Sequence, residues 1–297
     1  MSATSPSSRP GDTGGHGRTA IQDPVVDKIV AHVERVGAHG VPAEVRSAAK
    51  SLIADTLAVG VAGRSTPWRG EILDMLARIG GAGEATVFGS GERLPLVHAS
   101  MLNAYQIHGQ EFDCVHDAAV VHPMAAVLPV LLGWAEREGG VSGALLLRAI
   151  VLAVDVAATL GLCSRAPMRF FHPANAGGFG ATIGLAMLAG LDADRLRDAM
   201  GIYYGQCAGT MQAHSEGAPQ LANANGICGP QSSSRGATCR DLAPPLEGIS
   251  AISRCLTVRP IRCPLRISAH LGASLKSATN RFPVGARRMG ASMLCSA

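Results

Sequence analysis

From Asp23 to about residue 214 the chain is a succession of helix signals with hardly a strand among them. Asp23-Pro24 has the form of an N-cap followed by proline at the first helical position, where a missing N–H costs nothing. Val26, Ile29, Val30 and Val33 then recur at three- and four-residue spacing, which puts them on one face of a helix over 25–36. Gly37 and Gly40 close it, and Pro42 opens a second helix through Val45, Ala49, Leu52, Ile53, Thr56, Leu57 and Val61. The same reasoning predicts helices over 67–79, 94–109, 123–138, 142–162, 176–189 and 193–214, the last with Asp192 as its N-cap. Residues 80–95 interrupt the series with a glycine-rich stretch around a short β-like core, Ala85 to Phe88. No long strand precedes that stretch, and it lacks the G-K-[ST] ending of a phosphate-binding loop, so a structural hairpin or crossing loop is expected.

Aromatic residues are only 4% of the chain while glycines number 36, so the core must be built from Ala, Leu, Val and Ile. That composition favours closely packed helices over a β-sandwich, which draws on aromatic and β-branched side chains. The expected fold class is mainly α. The longest apolar stretch, 145–162, is broken by Arg148 and Asp155 and reads as a buried core helix, not a membrane span. Residues 1–22 are rich in Ser, Gly and Pro and read as a disordered leader with no apolar signal segment. Eight cysteines show no C-x-x-C or C-x-x-H spacing, which argues against zinc ribbons and redox motifs and points to reduced thiols in the cytoplasm.

Polar chemistry is concentrated in one segment. Between Asn103 and Pro123 lie His108, Glu111, Asp113, His116, Asp117 and His122, in a chain otherwise apolar and sparsely charged. Ionisable groups crowded beside a core shift one another's pKa values, which makes such a cluster a candidate site. His108 and Glu111, three residues apart, can share one face of a helix end. His122 precedes Pro123, which places it in a turn just before a helix, where the first amides favour an anionic group. His172 opens a second small-residue run, Ala174 to Gly180, that permits close backbone approach. His214-Ser215-Glu216-Gly217 ends a further helix. Any single histidine of this set can equally be a hydrogen-bonded structural residue. His108, Glu111, Asp113, His116 and His122 are all plausible metal ligands, but their spacing matches no H-E-x-x-H type, and no metal is expected.

The cluster resembles the MmgE/PrpD family, which includes 2-methylcitrate dehydratases and cis-aconitate decarboxylases. The family pattern is roughly N-x-x-x-x-H-x-x-[DE]-[FY]-D-D-[TV]-H followed by H-P. Here it reads Asn103, His108, Glu111-Phe112-Asp113-Cys114-Val115-His116 and His122-Pro123. Asp55-Thr56-Leu57-Ala58, Ala85-Thr86-Val87-Phe88-Gly89, Phe171-His172-Pro173 and the run from Gly184 to Asp192 add support, so that the resemblance covers about 25–220. It implies a large all-α domain with a smaller α/β lid, a homodimer, a small carboxylate substrate, and a hydro-lyase reaction needing no cofactor. By the resemblance Glu111, His122 and His172 are catalytic, and His108, Asp113 and His116 bind substrate. Two departures stand out: Cys114 replaces an acid and Val115 a common threonine. The region of Pro219-Gln220 also lacks the lysine that decarboxylase members carry, which favours dehydration.

After Gly217 the helical pattern stops. From Arg235 onward ten Lys/Arg face two acids, Asp241 and Glu247, a local charge of +8 against a total of +4. The basic residues are scattered among Ser, Pro, Cys and Gly with no helical face, which argues against nucleic-acid binding. Five of the eight cysteines lie after residue 220. Shifting the codons of 221–232 by one base can encode a family-like M-G-F-A-A-R-N-A helix, and shifting those of 284–296 the other way can encode a lid-like G-R-A-S-H-G-S-V-D. The expected organisation is therefore a leader over 1–22, a helical domain over 23–220, and a basic tail over 221–297 that is a frame-shifted remnant of helix and lid. A chain so altered is expected to be impaired or inactive. Two other function classes remain open from sequence: a metal-dependent hydrolase using the His/Asp/Glu cluster, and a non-catalytic helical interaction protein.

Overall fold

The computed structural model describes residues 23–164 and 171–207. The expected leader, the basic tail, the end of the last helix and the His214 to Gly217 segment lie outside these residues.

Among the described residues eight helices form the fold: α1 Pro24–His39, α2 Ala43–Ala62, α3 Arg69–Ile79, α4 Leu96–His108, α5 Pro123–Arg137, α6 Gly143–Cys163, α7 His172–Leu188 and α8 Ala193–Gly205. The glycine-rich stretch is a hairpin: β1 Ala85–Thr86 pairs antiparallel with β2 Arg93–Leu94. Asp23 caps α1 by accepting from the Val25 amide at 2.8 Å, and Asp192 caps α8 by accepting from Arg195 at 2.9 Å. The helix expected from residue 176 begins four residues earlier, at His172. Pro173 is the reason: in the first turn its fixed φ suits the helix and its missing N–H has no partner to lose.

The centre is the contact of α7 with α5 and α6, and glycine decides how close it is. A β-carbon on Gly180 would overlap the Ala153 carbonyl oxygen of α6. One on Gly184 would stand 2.9 Å from the Ala149 oxygen and 3.0 Å from Leu131 Cδ1, and one on Gly177 2.7 Å from Ala126 Cβ. These pairs fix direction. Moving along α7 from Gly177 to Gly184 moves forward along α5 from Ala126 to Leu131, so α5 and α7 run parallel. It moves backward along α6 from Ala153 to Ala149, so α6 runs antiparallel. Each glycine inside α7 weakens the isolated helix by about 1 kcal/mol relative to alanine. Burial of Phe179, Ile183, Leu185 and Leu188, at about 1.5–3 kcal/mol per side chain, more than offsets that.

α6 is long and apolar enough to cross a membrane by length and composition, yet 67% of its most apolar window is buried inside the protein. Its two charged interruptions both face α1. Arg148 donates to the Gly37 carbonyl at 3.0 Å, and Asp155 lies 2.8 Å from His32 Nε2 in the core.

Candidate functional site

His108 is the last residue of α4, and Gly109 follows because a β-carbon there would run into Thr66. The chain turns out of the helix through Glu111, which adopts a left-handed φ of 55°, rare for a residue with a side chain. That turn brings Asp113 back beneath His108. A tight loop follows: the His116 amide donates to the Val121 carbonyl at 2.9 Å around a 3-10 turn at Asp117–Ala119. Val120 closes it with φ 50°. His122 then stands at the N-cap position of α5, but its side chain makes no capping bond and is left for the site.

Asp113 is the hub. Its side chain is 0% exposed. One or both of its oxygens accept from His108 Nδ1 at 3.2 and 3.3 Å, and Oδ2 also meets His122 Nδ1 at 3.1 Å. The two imidazoles pack edge to face, centroids 4.7 Å apart. Burial opposes the charge on Asp113, but the two histidines outweigh it and hold its carboxyl well below the usual range. Burial likewise opposes protonation of His108, yet the charge and hydrogen bond of Asp113, with Glu111 behind them, raise its pKa. An ionised carboxylate only accepts, so both Nδ1 atoms donate to it. His108 Nε2 lies 3.6 Å from Glu111 Oε1. The result is a continuous line of ionisable groups: Glu111, His108, Asp113, His122.

Only the ends of that line reach outward. Glu111 is 46% exposed and His122 21%, whereas His108 and Asp113 are enclosed. The structure thus sets Asp113 behind the histidines, where it orients imidazoles, rather than at a substrate-facing position. His116 is half-buried, and its Nδ1 accepts from the Ala119 amide at 3.1 Å, fixing the loop. Burial, helped by the Asp113 charge, pushes the Cys114 thiol up to about 12, which disfavours the thiolate. Asn103 ties the hairpin to α4, accepting from the Phe88 amide at 2.8 Å and donating to the Thr86 carbonyl at 2.9 Å.

His172, fifty residues after His122 in the chain, comes to the same end of the bundle. Val121, next to His122, belongs to the same buried apolar cluster as Ala176, one turn into α7. Because α5 and α7 are parallel, His122 and His172 both stand at the N-terminal ends of adjoining helices, whose free amides and dipoles favour an anion. His172 is 4% exposed, and its buried Nε2 has no hydrogen-bond partner among the described residues. Burial lowers its pKa.

One contributor was missed from sequence. Tyr203 of α8 is fully buried and edge-on to Phe179 at 4.8 Å. Its hydroxyl donates to the Ala174 and Asn175 carbonyls at 3.3 and 3.4 Å, holding the first turn of α7 in place. A single tyrosine in an amphipathic helix carries no sequence signal for that role.

Comparison with known proteins agrees with the residue pattern. The family model described as the MmgE/PrpD N-terminal domain matches residues 27–244. The match therefore runs past residue 220, where the helical pattern was expected to break. A cis-aconitate decarboxylase-like protein of Aspergillus oryzae is 30% identical over 187 residues, covering 60% of this chain and 39% of that protein. A cis-aconitate decarboxylase of Aspergillus terreus is 27% identical over 201 residues, covering 65% and 41%. A further one from that species is 28% identical over 185 residues, covering 60% and 38%. The chain spans about two fifths of the length of the curated relatives it matches.

Proposed function

Because the chain belongs to the MmgE/PrpD family, we propose that its site is built for lyase chemistry on small polycarboxylates: loss of water from a hydroxy-acid such as 2-methylcitrate. The observation that carries this reading is the shared carboxylate of Asp113, which fixes His122 with its proton on Nδ1 and its lone pair on Nε2. In that state His122 Nε2 is the base that takes the proton beside a substrate carboxylate. The electron pair left on carbon forms the double bond as the hydroxyl departs. His172 Nε2, buried and unpartnered among the described residues, donates a hydrogen bond to that departing oxygen, which takes a proton from solvent on the exposed side and leaves as water. Glu111 acts on the reacting end of the substrate from the exposed side, and the N-terminal amides of α5 and α7 hold its carboxylates. No cofactor is required by these steps. A homodimer in the cytoplasm is the setting we propose for it.

A decarboxylase is the second reading, supported by the names of the relatives in Aspergillus. It has no lysine to draw on at Pro219-Gln220, a position outside the described residues. We propose further that the chain as written turns over poorly. The support is the change of composition after Gly217 and the codon-shifted matches to family motifs; the coding sequence around Gln220 and Asn280 tests it directly.

The deciding assay follows double-bond formation from 2-methylcitrate and release of CO2 from cis-aconitate, using this chain and one with the frame restored. We expect the restored chain to dehydrate, and Glu111→Gln and His122→Asn to abolish turnover. Full turnover by the His122→Asn protein, or CO2 as the main product, would overturn the dehydratase reading.

A further inference from the structure

The histidine pair and its carboxylate have a second property besides proton transfer. One ligand atom each from His108, Asp113 and His122 lie within 4.8 Å of one another. The nitrogen-to-oxygen separations, 3.1 and 3.2 Å, are close to the edge of roughly 3.3 Å expected for a tetrahedron with bonds of about 2.0–2.1 Å. The two rings stand at 72° to each other, so the imidazoles approach the carboxylate from different directions. The set is two imidazoles and one carboxylate, a borderline donor set that suits zinc, nickel or copper and not magnesium or calcium. A carboxylate also stands behind one ligating histidine: Glu111 Oε1 lies 3.6 Å from the far nitrogen of His108, at ion-pair distance and longer than a hydrogen bond. Access is from the side of His122, the partly exposed member of the trio.

We infer that His108, Asp113 and His122 form a three-ligand site for a divalent transition metal of the zinc class, and that filling it takes His122 out of proton transfer. The metal takes the Nδ1 lone pairs of both histidines, so the proton on His122 Nδ1 moves to Nε2 and that of His108 moves likewise or leaves to solvent. With Nδ1 on the metal and Nε2 protonated, His122 has no lone pair left to act as a base. Loss of proton transfer rests on the lyase reading above; metal binding does not.

The test is calorimetric titration of the full chain with zinc, nickel and magnesium, together with X-ray absorption of the zinc-loaded protein. We expect saturable zinc binding, none for magnesium, and a first shell of nitrogen and oxygen with two imidazoles. Asp113→Asn and His108→Gln should weaken zinc by on the order of 100-fold or more, since loss of a ligand exceeds the 10–100-fold typical of its supporting partners. His39→Gln, a substitution at an exposed histidine of α1, should bind like the parent. Absence of saturable binding, a shell dominated by sulfur, or an unchanged affinity in Asp113→Asn would each overturn the site. If the variants fail to fold, the absorption spectrum of the parent decides alone. In the frame-restored chain zinc should stop dehydration reversibly. Zinc bound by the trio without any turnover to inhibit would keep the site and sink the lyase reading; turnover undiminished with the trio filled would sink the claimed effect on His122.

Discussion

Asp113 Oδ2 meets His122 Nδ1 at 3.1 Å across nine residues of chain, because the loop from His116 to Val121 folds back on itself and delivers the histidine to a carboxylate already engaged by His108. Replacing Asp113 by Asn keeps the shape but leaves His108 without its buried counter-charge, with only the half-exposed Glu111 beside it. Breaking a buried pair by removing one partner costs about 3–5 kcal/mol. Urea denaturation of Asp113→Asn near neutral pH should show a loss of that size; a loss under about 1 kcal/mol would mean that the trio contributes little to the fold.

The two most enclosed histidines of the site should respond to pH in opposite senses. The pKa of His108 is raised, so its contribution is complete below the unfolded value of about 6.5 and fades as pH rises through the folded value. That of His172 is lowered by burial, so the unfolded chain takes up the proton first, and stability falls as pH drops below about 6.5. Stability measured from pH 5 to 9 should therefore show the advantage of the parent over His108→Gln shrinking at the alkaline end. Its advantage over His172→Gln should shrink at the acid end. Parallel curves for either variant would contradict the assignment.

Gly180 has no room for a side chain, since a β-carbon would overlap the Ala153 carbonyl oxygen of α6. Alanine gains about 1 kcal/mol of helix propensity, but it must push α6 and α7 apart in the centre of the core. Overpacking of that kind costs about 1–3 kcal/mol, and backbone gives less readily than a side chain, so Gly180→Ala should be net destabilising. A thermal melt at or above that of the parent would show that the two helices can separate freely.

Glu111 holds a left-handed φ of 55°, a conformation that costs a residue with a β-carbon about 1–2 kcal/mol. Glycine adopts it freely but gives up about 0.5–1 kcal/mol of chain entropy. Glu111→Gly should thus be at least as stable as Glu111→Gln, although both lack the carboxylate. In the frame-restored chain both should lose turnover. Lower stability for the glycine variant would mean that the side chain, not the strain, dominates at this position.

Much of the architecture was legible before any coordinates. The caps at Asp23 and Asp192, the helix spacing and the hairpin around Ala85 are local, because each depends on residues within a turn or two of one another. The stretch from Asn103 to Pro123 could also be singled out as a candidate, since ionisable residues crowd into it. Local rules also misplaced the start of α7: they read from the small-residue run, whereas Pro173 lets the helix begin at His172.

What the sequence by itself determined was a mainly helical domain with one crowded ionisable segment; the family resemblance added Glu111, His122 and His172 as candidates for chemistry. Only the tertiary structure decided how those candidates are arranged. The parallel pairing of α5 with α7 brings His172 to the same end as His122, and the return of the loop makes Asp113 a shared acceptor rather than a surface group. Neither could be read from spacing. Periodicity reports which face of one helix is buried, while the direction and depth of its neighbours are set by contacts such as Gly177 on Ala126, between residues about fifty positions apart.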